Sequence, residues 1–588
     1  MSIRKNPMQV MMERRRAGEK IGIPSYCTAN ELVIEEILLR AKETNIPTLI
    51  EATANQVNQF GGYTGMKPAD YCRFVLDLAK KTGCPEELII LAGDHLGPLT
   101  WQHLPEAEAM ANAEELVYQY TRAGFTKIHL DTSMKVADDP DGLLSTETIA
   151  GRGVRLYQVC MRAYEDLLKE KPDAVRPVFI IGSEVPIPGG AQEAEEGLTV
   201  TSPKAFEDTV NTYKRMFREA GAEDGWNDVI AVVVQPGVEF GDDQVFLYDS
   251  GAAQALTAKL KEYPEVVFEG HSTDYQSAES LRDMVLDGIC ILKVGPSLTY
   301  AMREAVFALS MMEKELVPAE EQAYVIETLE HVMTDEPANW QKHYHGSLKE
   351  LALARKYSFS DRARYYMGEE KVTAAIGKLF GNLRKYTIPM NMLHQYMPLQ
   401  FDKVRTGTLQ MDPKGLVLDA VLQFLYDYEY AAGIPVEAEL GKVGGKEDGL
   451  VVTGDSPYTD PGEAGVFVER TGVDALAVGI GTAHGFYKGE PHVDLERLSE
   501  IRAAVDIPLV LHGTSGVPDE TVAEAVKRGI CKVNYATELR AVFSEGVKEV
   551  MKADPAVYDP KKYNKAGREK VKQLVMKRID NLRSAGRA

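Results

Sequence analysis

Two histidines in the last quarter of the chain stand in contexts that suit metal binding. His484 belongs to the segment TAHG and His512 to LHGTSG, and each segment ends a short apolar run that predicts a β-strand. Imidazoles at neighbouring strand ends can converge on one Zn²⁺, and glycine lets the backbone approach a ligand closely. A lone histidine at a strand end is more often structural, but this pair, followed by KVNYATEL, favours a metal site.

A second group of metal-binding and acid–base residue types lies in the first half of the chain. Asp94 and His95 follow the apolar run LIILAG, and Asp131, Glu184 and His271 lie at the ends of other predicted strands. Two histidines with a carboxylate form a permissible catalytic zinc set, and a further carboxylate can transfer protons. The alternatives are an aspartate that caps a strand-end turn and a vestigial polar pocket without metal.

The elements that must position these residues follow a regular pattern from about residue 20 to 310. Short apolar runs alternate with helix-length amphipathic stretches, which predicts repeated β-α units around a parallel sheet. Most runs end in polar or glycine-bearing segments, as expected when the chemistry lies at the C-terminal face of a barrel. The predicted strands end at Ala52, His95, Ser133, Glu184, Gly237, His271 and Gly295.

The pattern changes twice after the first barrel. Residues 317–432 suit helices without intervening β-branched runs, and strands alternate with helices again from residue 433. This last segment is too short for a complete barrel, which needs about 250 residues. We therefore predict an α/β protein with a (β/α)8 TIM barrel in residues 1–316, a helical extension in 317–432 and a C-terminal half-barrel of β-α units in 433–588.

The half-barrel repeats the middle of the first barrel, which indicates that both regions descend from strands four to seven of one ancestral barrel. At the second matched strand, the first barrel has Gln235-Pro236-Gly237 where the tail has His484. The comparison predicts that the first barrel has lost one metal ligand. The matching segments are 184–190 with 439–445, 231–237 with 477–485, 269–271 with 510–512, and 288–294 with 529–533.

The composition disfavours several classes of function. The chain has 588 residues, 44% of them hydrophobic, and a formal charge of −22 from 88 acidic and 66 basic residues. This charge would repel nucleic acid and anionic lipid, so we expect neither as a partner. The basic N-terminal segment lacks the apolar stretch of a signal peptide, and no run of apolar residues reaches the roughly eighteen that a membrane span needs. The six cysteines show no short spacing that would indicate a pair. We therefore expect a cytoplasmic protein with reduced thiols.

The motifs of the tail resemble the C-terminal half of class II aldolases of the tagatose and fructose bisphosphate group, from about Pro435 to the end. The resemblance implies that His484 and His512 bind zinc, with Glu439 near the metal as a candidate catalytic residue. Zinc would polarise the ketose carbonyl. The resemblance also implies a monovalent cation as a possible second cofactor. The residues implied to bind the phosphate and dihydroxyacetone phosphate are Gly485, Lys488, Gly513, Ser515, Asn534 and Thr537.

These aldolases also have an Asp-His pair that supplies the acid and a third zinc ligand. The tail has no such pair. We therefore expect residues 433–588 to lack independent aldolase activity.

The segments IEATANQVNQFGGYTGM, GDHLGP, GSEVPIPGG, EGHSTDYQ and LKVGPSLTYAMREA resemble the non-catalytic, or Z-type, subunit of class II D-tagatose-1,6-bisphosphate aldolase. The resemblance covers residues 8–432. It implies a subunit that supports the activity and stability of a separate catalytic subunit, with a phosphorylated ketohexose as substrate. Asp94 and Glu184 are the candidate catalytic residues here, and His95 and His271 the candidate metal ligands.

Three functions remain open from the sequence. The first is a component of the aldolase, which works with an intact catalytic subunit or by self-association and cleaves poorly alone. The second is a metal-dependent epimerase of a ketohexose or its phosphate, because epimerisation through reversible aldol cleavage needs the same groups. The third is an assembly subunit without catalysis. The junction near Gly433 is also compatible with a deletion that joined two neighbouring reading frames.

Overall fold

The computed structural model describes residues 5–183, 199–433, 437–441, 444–447, 450–452, 458–471, 473–485, 487, 489 and 491–585. The chain divides into two compact units, Met1–Ile434 and Pro435–Ala588. Two residues singled out in the sequence, Glu184 and Lys488, lie outside the described residues. No helix in the described ranges is long and apolar enough to cross a membrane.

Eight parallel strands close a barrel in the first unit, which confirms the predicted fold class. Strands adjacent in the chain pair with each other, and the eighth pairs with the first. The sequence pattern does not reveal the first strand, because it is five residues long and contains Pro24, which has no N–H to donate. The strands are β1 (Ile23–Cys27), β2 (Thr48–Thr53), β3 (Ile89–Leu96), β4 (Lys127–Leu130), β5 (Val178–Ile181), β6 (Val229–Val234), β7 (Val267–Gly270) and β8 (Ile289–Val294).

Helices surround the barrel, and their ends carry the expected capping residues. The side chain of Asn30 accepts hydrogen bonds from two backbone N–H groups at the start of the second helix, and Gly288 ends the eighth in a left-handed conformation. The helices are α1 (Pro7–Arg16), α2 (Glu31–Thr44), α3 (Pro68–Thr82), α4 (Glu106–Arg122), α5 (Thr146–Glu170), α6 (Pro203–Glu219), α7 (Ser250–Leu260), α8 (Ala278–Asp287) and α9 (Pro296–Leu316).

Helix α1 closes the end of the barrel at which the strands begin. Its three methionines are buried among the apolar side chains that fill the lower barrel interior. Asn6, which caps the helix, donates hydrogen bonds to the carbonyls of Thr126 (2.9 Å) and Arg176 (3.0 Å), just before β4 and β5. Because this end is filled, the C-terminal end of the strands is the one available for chemistry.

The segment after α9 is helical, and its last helix returns to the barrel. That helix packs against α2, α8, α9 and β1 and buries Leu425. The hydroxyl of Tyr428 donates to the carbonyl of Thr273 (2.8 Å), and Arg40 pairs with Glu429 (2.7 Å). This last helix therefore completes the outer layer of the barrel. The helices are α10 (Val325–Asp335), α11 (Leu348–Tyr357), α12 (Glu370–Lys385), α13 (Met390–Tyr396), α14 (Pro398–Thr406) and α15 (Pro413–Ala432).

The second unit contains a four-stranded parallel sheet whose strands pair in chain order, as β5 to β8 do in the barrel. This order agrees with the internal repeat, although the repeated strands are the fifth to eighth of the barrel because β1 precedes those predicted. The strands are β9 (Glu437–Leu440), β10 (Ala475–Val478), β11 (Leu509–Leu511) and β12 (Ile530–Val533), with short additional strands at Gly444–Glu447, Leu450–Val452 and Ala483–His484. The helices are α16 (Pro461–Thr471), α17 (Leu495–Ala504), α18 (Asp519–Lys527), α19 (Thr537–Ala553) and α20 (Pro560–Asn581).

Candidate metal centre

Four buried side chains that can bind a metal converge at the C-terminal end of the barrel. Asp94 and His95 lie near the end of β3, His129 lies within β4, and His271 follows β7. Their potential ligand atoms all lie within 4.8 Å of one another, and each residue is at most 4% exposed. The structure therefore brings together residues from three strands, in a cluster that we call the barrel cluster.

Each histidine of the barrel cluster is held by a carboxylate. Nδ1 of His95 lies 2.7 Å from Asp131, Nδ1 of His129 lies 2.7 Å from Asp94, and Nε2 of His271 lies 2.9 Å from Glu269. Metal-binding histidines commonly use one ring nitrogen in this way, which fixes the ring orientation and makes the other nitrogen a better ligand.

Two buried lysines adjoin the barrel cluster. Nζ of Lys127 lies 2.7 Å from Glu51 and 2.8 Å from Glu269. Nζ of Lys293 lies 3.2 Å from Glu51 and also contacts the carboxylate of Asp94. These pairs join β2, β3, β4, β7 and β8 across the barrel interior, so the cluster is supported by a continuous charge network.

The charge network has more negative than positive groups. With Asp131, it contains four carboxylates and two lysines. Burial, assisted by Lys293, lowers the pKa of His271 to about 3, so this ring is neutral at neutral pH. Burial opposes the ionisation of Asp94, but His95 and Lys293 hold the pKa of Asp94 well below its usual value. Uncompensated negative charge in a buried site is costly, which favours a bound cation.

The barrel cluster fits a divalent metal by its donor atoms as well as by its charge. Nε2 of His129 is buried and has no hydrogen-bond partner among the described residues. Three imidazoles form a known ligand set of catalytic zinc, which leaves a fourth position for water or substrate. The three histidines would hold the ion, and Asp94 lies within reach of it or of the substrate.

The backbone around the barrel cluster is constrained. His95 and Ser272 have positive φ angles of 48° and 53°, a conformation that is uncommon for residues other than glycine and is often found at functional sites. Gly97 follows at the end of β3, where a Cβ atom would lie 1.6 Å from the carbonyl oxygen of Asp131. A side chain at position 97 would therefore separate two strand ends that carry cluster residues.

A cavity of about 100 Å³ adjoins the barrel cluster and contacts Asp94, His95, His271 and Lys293. A larger cavity of about 630 Å³ extends from it between the β1–α2 connection, α9 and the helical extension. We call them the inner and the outer cavity. The five residues that line both cavities are Cys27, Gln56, Tyr63, Arg364 and Tyr365.

The tail contains a second potential ligand group, Glu439, His484 and His512, which is less buried. Nδ1 of His512 lies 2.6 Å from Glu439, and its Nε2 lies 3.1 Å from Glu437. The hydrogen bond that the imidazole donates to the carboxylate of Glu439 raises the pKa of His512. Protons therefore compete with a metal more strongly here than at the neutral His271 of the barrel cluster.

The residues implied to bind phosphate in the tail lie at the ends of β10 to β12. Gly485 and Gly513 have positive φ angles of 94° and 65°. Ser515 accepts a hydrogen bond from the first turn of α19, which begins at Thr537, and the carbonyl of Asn534 accepts one from a threonine side chain. An α-helix N-terminus beside these residues suits an anion.

The sequence pattern does not find the third histidine of the barrel cluster. His129 lies within a strand, whereas the pattern singles out residues at strand ends. The alternation of β4 is the signal that finds it, because Lys127, His129 and Asp131 occupy every second position and face one side. His129 therefore adds a third imidazole to the barrel cluster, on a strand other than the one that precedes Gln235.

A closed (β/α)8 barrel with a cluster of buried polar side chains at the C-terminal ends of its strands defines the class of TIM-barrel proteins. The model of the family described as D-tagatose-1,6-bisphosphate aldolase subunit GatZ/KbaZ-like matches residues 8–433, and the chain belongs to this family. The class II fructose-bisphosphate aldolase family matches residues 421–587. Both matches confirm the resemblance seen in the sequence.

Solved structures are similar to this chain to different extents. A protein described as a probable tagatose 6 phosphate kinase from Sinorhizobium meliloti 1021 is 46% identical, covers 70% of this chain and all of its own, and has a TM-score of 0.64. The YdjI aldolase from Escherichia coli K12 is 15% identical with a TM-score of 0.23, at 99% coverage of both chains. A fructose-bisphosphate aldolase from Campylobacter jejuni is 16% identical with a TM-score of 0.35, and covers 65% of this chain and 95% of its own.

Proposed function

We propose that the chain is a component of a class II D-tagatose-1,6-bisphosphate aldolase, and that its N-terminal barrel holds a divalent metal and acts on a phosphorylated ketohexose. The observation that carries this proposal is the convergence of Asp94, His95, His129 and His271. The reaction would be retro-aldol cleavage to dihydroxyacetone phosphate and glyceraldehyde 3-phosphate. Zinc is the metal that best matches the three imidazoles.

The residues of the barrel have distinct tasks in this reaction. A bound divalent cation would polarise the ketose carbonyl and stabilise the negative charge that develops on its oxygen. Asp94 is ionised, so it can accept the proton of the C4 hydroxyl as the bond between C3 and C4 breaks. Lys293, whose charge is maintained by Asp94 and Glu51 against burial, adds a fixed positive charge beside the cavity.

The tail has a different proposed role. It has the two histidines and the phosphate-binding residues of class II aldolases but no Asp-His pair, so it lacks the acid and the third ligand. We propose that it has no catalytic activity of its own, and that the barrel supports the activity and stability of an intact catalytic subunit.

The test is metal content and turnover of the purified chain without a partner. His129→Ala should remove metal from the barrel cluster, and Asp94→Asn should lower turnover of D-tagatose 1,6-bisphosphate by about 10² to 10⁴ through loss of proton transfer. His331→Ala, on the exposed surface of α10, is the matched control and should change neither.

The tail variant His484→Ala separates the two sites. If the barrel acts, His484→Ala leaves turnover largely intact and removes only metal bound in the tail. Turnover that is abolished by His484→Ala and unchanged in His129→Ala would contradict the proposal and assign the chemistry to the tail.

Epimerisation at C4 is the second candidate, because the barrel cluster is almost fully buried. A closed site can retain both three-carbon fragments until they recombine on the other face of the aldehyde, which inverts C4. Product analysis distinguishes the two reactions: trioses indicate cleavage, and a fructose phosphate that forms without free trioses indicates epimerisation.

A further inference from the structure

Arg364 belongs to the helical extension but lies beside the barrel cluster. It stands in the short 3-10 helix Arg362–Tyr365, which follows α11, and it lines both the inner and the outer cavity. Its Nη1 donates to backbone carbonyls, including that of Asp361 at 2.9 Å, and its Nη2 donates to the hydroxyl of Tyr365 at 3.0 Å. These contacts fix the guanidinium at the boundary of the two cavities.

The guanidinium of Arg364 has no carboxylate partner in the part of the chain that the structure describes. The nearby carboxylate of Asp361 is bound by Arg303 (2.8 Å) and Thr299 (2.6 Å). Asp274 lines the inner cavity, but its carboxylate accepts hydrogen bonds from backbone N–H groups at the start of α9. Glu31 and Glu369 line the outer cavity, and neither forms an ion pair with Arg364.

A largely enclosed cation without a carboxylate at ion-pair distance favours an anionic ligand, because its contacts with backbone carbonyls and a hydroxyl do not neutralise the charge that has lost water. Arginine also offers a planar fork of N–H donors that matches a phosphate group. The inner cavity lies on one side of Arg364 and contacts the barrel cluster, whereas the larger outer cavity lies on the other side.

We propose that Arg364 binds the 6-phosphate of the ketohexose phosphate, so that the helical extension selects phosphorylated over neutral sugars. The ketose end would lie in the inner cavity against the barrel cluster, with the phosphate at the boundary. This inference rests on the proposed function for the identity of the sugar. It assigns the extension a part in substrate recognition that its sequence does not reveal.

The experiment is calorimetric titration of the full chain, purified with its metal, with D-tagatose 6-phosphate, D-tagatose and inorganic phosphate. Arg364→Met should weaken binding of D-tagatose 6-phosphate by about ten- to hundred-fold, the range for a lost charged hydrogen bond. Binding of D-tagatose should stay within about two-fold, because the neutral sugar makes no ionic contact. Arg364→Lys should recover part of the loss, since it restores the charge without the fork.

Arg384→Met is the control, because it removes an exposed guanidinium of the extension that pairs with Asp412 outside both cavities. It should bind both sugars as the unmodified chain does. Equal loss of both sugars in Arg364→Met, or no loss of either, would overturn the inference.

Inorganic phosphate separates this inference from the proposed function. One possible result is that the unmodified chain neither cleaves D-tagatose 1,6-bisphosphate nor binds D-tagatose, while Arg364→Met has one phosphate-binding site fewer than the unmodified chain. In that case the anion site stands and the proposed function fails. If phosphate binding is the same in Arg364→Met and in the unmodified chain, the anion site fails whatever the turnover.

Discussion

At the scale of single residues, burial decides what the charged groups of the barrel do. Lys127 is fully enclosed and pairs with Glu51 and Glu269, which are enclosed as well. Such pairs add little net stability compared with apolar packing, but loss of one partner is costly because it leaves a buried charge. The network therefore fixes the positions of the side chains around the candidate metal ligands.

Glu36, on α2, gives a prediction of pH dependence. Burial, together with Asp419 and Glu43, raises the pKa of Glu36 from 4.5 to about 8, against the opposing effect of Lys403 and Arg40. The folded chain therefore binds this proton more tightly than the unfolded chain. The stabilisation is complete below about pH 4.5 and is lost as the pH rises through about 8.

Glu36→Gln should remove this dependence. Between pH 5 and pH 8 the free energy of unfolding of the unmodified chain should fall by roughly 2 to 4 kcal/mol relative to the variant. Denaturant titrations at several pH values measure the difference. Glu31→Gln, an exposed position at the start of the same helix, should follow the unmodified chain, and parallel curves for Glu36→Gln would show that Glu36 ionises normally.

The residue scale also shows the limit of sequence-based prediction. Asp94, His95 and His271 are recognisable because strand ends and a local motif mark them. His129 and Glu269 are not, since a strand interior gives no sign of whether a polar side chain meets a partner across the barrel. Arg364 is harder still, because only the tertiary fold brings a surface-like Arg-Ala-Arg-Tyr segment to the barrel mouth.

At the scale of elements, the amphipathic periodicity predicts most strands and the helical nature of residues 317–432. It cannot show that α15 packs on β1 and α2, because an apolar helix face does not specify its partner. The short strand β1 also escapes the pattern. The strand and the helix packing that the pattern misses lie in the same part of the barrel wall. There α15 packs against β1 and α2, which are far from it in the chain.

A matched pair of leucine substitutions tests the role of α15. Leu425→Ala, at a position that is 1% exposed, should lower the free energy of unfolding by about 2 to 5 kcal/mol, because it leaves a cavity between α15 and the barrel. Leu348→Ala, at a position of α11 that is 86% exposed, should change it by less than about 0.5 kcal/mol. Thermal or denaturant unfolding measures both, and similar effects would refute a structural role for α15 in the barrel.

At the scale of the whole molecule, the chain joins a complete barrel to a half-barrel, each a compact unit. The sequence indicates a change at residue 433 because the repeat and the two families are visible in the residues. The distribution of activity is harder to predict, since the proposed metal site of the barrel includes His129, which none of the sequence motifs marks.

Removal of the tail tests this distribution. A chain that ends at Gly433 should retain the metal of the barrel cluster and most of its turnover, and should still stimulate an intact class II catalytic subunit. Residues 435–588 alone should be inactive, because they lack the Asp-His pair. Steady-state assays of both truncated chains, with and without the catalytic subunit, provide the measurement. Full activity of the tail alone would reverse the assignment.

The first and the last helix of the first unit, α1 and α15, both pack on the barrel, and this has a consequence for biosynthesis. Helix α1 is synthesised before every strand of the barrel, yet its apolar face packs with residues of β8, and the outer layer is complete only when α15 has emerged. Nearly all of the first unit must therefore be translated before its two ends can dock. Such long-range closure is slow and leaves apolar surface open during synthesis. The apolar surfaces that α1 and α15 cover thus stay exposed on the nascent chain until translation reaches the tail.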